Sequence, residues 1–214
     1  MKLISQVISW VCLPLFMPMY ALLFVMYVPS NQDFLFNEDN MYLLPHDAKM
    51  ALLYMFGVFC VIAPGASFII LRRRNIISDI EMDNRKERNI PIMIMLVYCL
   101  VLFFLFKVKA SNTMIPKFVF SLPLSGVFVT AVFYIANYWK KISIHAAGGG
   151  ILVGFILAYI LIQSEYQLWI LAFAFLISGV IMTARLYLEK HTMLEVIIGW
   201  FTATIITFTV NYLY

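Results

Sequence analysis

Seven apolar runs limit what this chain can fold into. They cover about residues 7–28, 48–71, 91–107, 117–138, 146–163, 167–184 and 193–213. An α-helix rises ~1.5 Å per residue, so roughly 20 apolar residues cross the hydrocarbon core of a bilayer. Only helices and closed barrels satisfy every backbone group in lipid, and continuous apolarity without period-two alternation excludes the barrel. Composition agrees: 64% of the 214 residues are hydrophobic and 12% charged, whereas a soluble domain is nearer half and a quarter. The expectation is one integral membrane domain over residues 1–214, an all-α polytopic transmembrane helical bundle of six to seven spans. The uncertainty of one span lies in the first run, where Pro14 and Pro18 imply a kink or a partly re-entrant segment. That run is too long for a signal-peptide core and no small-residue cleavage site follows it, so it reads as a span. Cys12, Cys60 and Cys99 stand alone in apolar runs, without the spacing of a disulfide framework or a metal cluster.

The polar residues collect in three connections. Those after the second, fourth and sixth runs hold RRRNIISDIEMDNRKERNIP, KKISIH and RLYLEKH, and alternation of helices places all three on one side of the membrane. The other side receives the acidic loop 29–47, the lysine-bearing turn 107–117 and SEYQ. Two of three histidines and most arginines therefore converge on one face. Arginine binds phosphate oxygens with a two-pronged fork and stays charged at any relevant pH. Histidine serves as nucleophile or acid/base near neutrality, and a carboxylate on its second nitrogen fixes the tautomer. Glu195 follows His191 by four residues, a spacing that lets the two touch on one helical face. Elsewhere the bland readings hold. Arg72, Arg73 and Arg74 read as a topology signal and headgroup anchor. Gly148 to Gly150 read as close helix packing. Tyr138, Trp139 and Trp200 read as an interfacial belt, and His46 as solvated.

RLYLEKHTMLEV resembles the third motif of the type 2 phosphatidic acid phosphatases, S-R-x5-H-x3-D, with Arg185, His191 and Glu195 matching and Ala184 in place of the serine. SIHAAGG is similar to the second motif, P-S-G-H, through Ser143 and His145. RKERNIP resembles the first, K-x6-R-P, through Arg88, although Glu81 stands where its lysine belongs, with Arg85 or Lys86 as substitutes. The resemblance covers about residues 79–199. It implies a helical bundle with His191 as the nucleophile that forms a phosphohistidine, Glu195 orienting it, and His145 protonating the leaving oxygen. Arg88, Arg185, Lys86, Arg85 and Ser143 would hold the phosphoryl oxygens. It implies no metal and no cofactor. The substrate would be a lipid phosphate or diphosphate, because the site lies at headgroup level; phosphatidic acid, phosphatidylglycerol phosphate, a polyprenyl diphosphate and a lipid A phosphate are all open.

Two other readings compete. Asp79 and Asp83, followed by arginine and proline, are similar to the first aspartate motif of UbiA-type intramembrane prenyltransferases, where carboxylates hold Mg²⁺ on a diphosphate. After Asp83, however, the chain has no aspartate, so a second such motif is missing. A non-catalytic lipid-binding relative is the third possibility. The site-bearing face carries 11 of the 15 Lys and Arg residues. Positive charge favours the cytoplasm, so the expectation is a site facing inward, and the resemblance implies a bacterial cytoplasmic (inner) membrane. A net charge of +4 fits contact with anionic membrane lipids and requires no nucleic acid. The sequence leaves the oligomeric state open.

Overall fold

The computed structural model describes residues 2–31, 40–79, 84–110, 116–163 and 165–214. Glu81 and Asp83, together with parts of the 29–47 loop and the 107–117 turn, lie outside the described residues. Seven helical segments are long and apolar enough to cross a membrane, so the chain is an all-α polytopic bundle.

The first span is two helices, α1 (Lys2–Val11) and α2 (Met17–Tyr27), joined through a 3-10 turn at Pro14–Phe16. Pro14 and Pro18 each fall in the opening residues of the turn or helix that follows, where a missing N–H costs nothing. The expected kink is therefore a full break at Cys12 and Leu13. The second span contains α3 (His46–Phe56), a π-helical stretch Gly57–Ile62, and α4 (Ala63–Arg73). Its wide turn comes just ahead of Pro64, where an ordinary helix would press the proline ring on a carbonyl one turn back. A 3-10 turn at Arg85–Arg88 leads into α5 (Asn89–Ala110), followed by α6 (Lys117–Ala136), α7 (Ile144–Ile162), α8 (Leu168–Tyr187) and α9 (Met193–Leu213). At the far end of the bundle, β1 (Ser30–Asn31) and β2 (Glu165–Tyr166) form a two-residue antiparallel pairing.

α7 is the hub, with most of its residues buried. α2, α8 and α9 pack around it, α6 bridges α5 and α9, and α1 lies on α8. Consecutive helical residues point about 100° apart, so Gly148, Gly149 and Gly150 face three different neighbours. A Cβ at Gly148 would lie 3.0 Å from Pro14, one at Gly149 2.9 Å from Ser178 Oγ, and one at Gly150 would collide with the Trp200 carbonyl. The packing role read from the sequence is thus met on three sides at once.

The three polar connections meet at one end, as helix alternation requires. Arg85 Nη1 donates to Trp139 O (2.7 Å) and Arg88 Nη1 to Ile142 O (2.8 Å). Lys141 Nζ donates to Lys190 O (3.0 Å), and the Ser143 N–H to Glu195 O (3.1 Å). Three of these donors are charged, which strengthens a hydrogen bond, so these ties fix the loops to one another. Arg72, Arg73, Arg74, Tyr138, Trp139 and His46 are exposed, as the sequence implies, whereas Trp200 is half-buried against Phe175 and Phe201.

Candidate functional site

The spacing R-x5-H-x3-E has a local structural cause. α8 ends in a Schellman turn: the Lys190 N–H reaches back to Arg185 O (3.2 Å) and the Glu189 N–H to Leu186 O (3.0 Å). Glu189 takes the left-handed conformation, φ 55°, that such a turn requires. The next residue is His191, and Thr192 then caps α9. Thr192 Oγ1 accepts from the Glu195 N–H (3.4 Å) while Glu195 Oε2 accepts from the Thr192 N–H (3.3 Å), a capping box. One turn closes a helix, a reciprocal cap opens the next, and His191 is pinned between them.

Glu195 Oε2 also accepts from His191 Nδ1 at 2.8 Å. A carboxylate only accepts, so Nδ1 carries the proton and the lone pair of neutral His191 is on Nε2. Burial pushes the His191 imidazole down to about 4. The bond to Glu195 opposes that shift, and Arg88, Lys141 and Arg185 add to it. At neutral pH His191 is therefore an uncharged, oriented imidazole in a positive field.

His145 comes to the same place from the start of α7. Ser143 is the N-cap, its Oγ accepting from the Ala146 N–H at 3.3 Å, so His145 stands in the first helical turn. The close approach of α9 fixes this point: a Cβ at Gly199 would lie 2.7 Å from Ser143 O. His145 is only 6% exposed. The backbone of Ser9 lies beside it, and its Nε2 is buried without a hydrogen-bond partner among the described residues. That unpartnered Nε2 is the nitrogen available for chemistry. Arg88 and Arg185 are fully buried and both act electrostatically on His145 and His191. Arg185 Nη1 contacts Ser9 Oγ at 3.4 Å.

His145, His191 and Arg88 line one end of a cavity of about 150 Å³ that runs into the bundle between apolar side chains. The structure therefore brings together His145, His191, Glu195, Arg88 and Arg185. It places the other three expected residues differently. Ser143 is fully buried with its hydroxyl engaged as a helix cap. Arg85 is turned to Trp139 O, and Lys86 is exposed; neither lines the cavity. Asp79 is half-buried and also away from the cavity. Among the described residues, no three His, Cys, Asp or Glu side chains gather as a metal-ion site.

Two contributors escaped the sequence reading. Lys141 acts on His191 from the connection before α7; its closeness to His145 in the chain was a signal. Ser9, at the end of the first helix, lies beside His145 and accepts from Arg185, and nothing in its sequence neighbourhood marks it. No protein family matches the chain, and comparison with curated proteins and with solved structures returned no match.

Proposed function

We propose that this protein is a membrane-embedded phosphatase of lipid phosphates or diphosphates that works through a phosphohistidine on His191, as in the type 2 phosphatidic acid phosphatases its motifs resemble. The observation that carries this reading is the 2.8 Å His191–Glu195 bond at the mouth of an apolar cavity shared with His145 and Arg88. A neutral imidazole with its Nδ1–H held by a carboxylate is an activated nucleophile. Buried guanidinium groups beside it are pre-aimed at charge that develops on phosphoryl oxygens.

In the first step, His191 Nε2 forms a bond to phosphorus as the bond from phosphorus to the lipid oxygen breaks. That oxygen takes a proton from His145 Nε2. In the second step His145 takes a proton from water, the water oxygen attacks phosphorus, the N–P bond breaks and phosphate leaves. Arg88, Lys141 and Arg185 disfavour protonation of His191 while the site holds no anion. A bound phosphate offsets these charges, so the acid proton is taken up together with the substrate.

Phosphate release from a panel of lipid phosphates, with purified protein in excess EDTA, tests the reading. Wild type should release phosphate and His191→Ala should not. Equal turnover by the two proteins would remove the nucleophile, and a requirement for added Mg²⁺ would transfer weight to a prenyltransferase-like diphosphate site.

A further inference from the structure

The cavity limits what can be attached to the phosphate. On α5 and the turn before it, Arg88, Ile92, Met95 and Cys99 all line it, a stripe of 3- and 4-residue steps that follows one helix face. Eleven residues of helix amount to ~16 Å, about half the ~30 Å hydrocarbon core. The cavity therefore descends from headgroup level to near the bilayer midplane. There, its floor is formed by Cys60, Cys99 and Gly126. An apolar cavity of ~150 Å³ holds a benzene-sized ligand when compact. Drawn out along three helical turns, the same volume takes one hydrocarbon chain and not two side by side.

Its lining also decides what lies next to the phosphate. Below Arg88, His145 and His191 the described side chains that line it are apolar or glycine, apart from Thr130 and the two thiols. The Thr130 hydroxyl is bonded back to Gly126 O (2.7 Å) and Val127 O (3.1 Å) of its own helix, and thiols are weak donors. A diacylglycerol phosphate would bring ester carbonyls into this region, where they would lose water and find no strong side-chain donor. A chain attached directly through the ester oxygen brings none.

We infer that the cavity holds the chain of a phosphate or diphosphate ester whose hydrocarbon begins at the ester oxygen, that of an isoprenyl or simple long-chain alcohol, in preference to a diacylglycerol phosphate. The inference rests on the histidine cluster being the phosphoryl site. Three cations around that cluster, Arg88, Arg185 and Lys141, provide charge for a second phosphate as well.

The test reads binding and turnover separately. Full-length protein in nanodiscs is irradiated with a dodecyl phosphonate carrying a diazirine midway along its chain, and adducts are mapped by mass spectrometry. Farnesyl phosphate, dodecyl phosphate and dilauroyl phosphatidic acid are the competitors. Adducts should fall on the floor of the cavity, near Met95, Cys99 and Val129. Both single-chain phosphates should suppress them, and the relative strength of farnesyl and dodecyl names the natural alcohol. Phosphatidic acid should compete roughly tenfold less well or worse, a difference of about 1.4 kcal/mol. Met95→Trp, which fills the channel, should lose these adducts while keeping the wild-type unfolding temperature; Met95→Ala should keep them. Equal competition by phosphatidic acid, or adducts confined to the outer surface, would overturn the chain assignment. Phosphate release is followed in parallel. Cavity labelling without release would overturn the phosphatase reading and leave the pocket standing, whereas release from phosphatidic acid without labelling would do the reverse.

Discussion

At the residue scale the account turns on Glu195. One carboxylate closes the cap of α9 and orients His191, and the extra methylene of Glu over Asp is what gives a residue at the third helical position the reach to do both. Glu195→Gln keeps the shape but removes the charge that stabilises the imidazolium and selects the Nδ1–H tautomer. On the proposed mechanism it should lower kcat by roughly 10²- to 10⁴-fold in a phosphate-release assay, with a much smaller effect on stability. The acidity of His191 sets the pH profile. Its value falls from 6.5 to about 4, first through burial, so the free protein loses the nucleophilic lone pair only as pH falls through about 4. The acid limb of kcat/KM should therefore lie near pH 4 and not near 6.5. Between those values the unfolded chain binds a proton that the folded one does not, so stability should also decline as pH falls through that window. An acid limb at 6.5 would mean that His191 is not the group held in this field.

At the element scale, the spacing read as a motif is also a piece of helix termination. Arg185, His191 and Glu195 stand where they do because a Schellman turn and a capping box lie end to end. The sequence contains that second signal in Thr192–Glu195, a T-x-x-E pattern. The turn is not optimal, because Glu189 holds a left-handed φ of 55° that glycine adopts without strain. Glu189→Gly should raise stability by about 0.5–1 kcal/mol, read as a higher unfolding temperature in detergent, with turnover unchanged; a lower temperature would contradict the turn described here. Ser143 illustrates the opposite case. It matches a phosphate-binding motif by position, yet a serine just before a helix is also a natural cap, and its hydroxyl serves that end here.

Across the whole molecule, much was legible because the bilayer imposes it. Seven apolar runs fix seven spans, and their alternation alone brings Arg85 and Arg88, the 138–143 connection and the 188–192 connection to one end, where their side chains bind one another's carbonyls. The sequence did not reveal what depends on lateral packing. The prolines marked the break in the first span, but only the docking of α1 on α8 carries Ser9 to His145 and Arg185. Only the packing of the first five spans leaves a cavity along α5. Charge asymmetry still predicts sidedness, with the histidine end facing the cytoplasm. An impermeant thiol reagent applied to intact cells should label Leu43→Cys, exposed at the far end, and spare Trp139→Cys, exposed beside the site. The reverse pattern would place the histidines outside.

The most direct measurement of the central claim is a rapid-quench search for phosphate on the protein itself. Wild type mixed with ³²P-labelled farnesyl phosphate, quenched in alkali within the first turnover, should carry label that is stable to base, lost in acid and located on His191. His191→Ala should carry none, and His145→Ala should form little, because its leaving oxygen goes unprotonated. Phosphate released at the wild-type rate with no labelled protein at any time, or label on a different residue, would contradict the account.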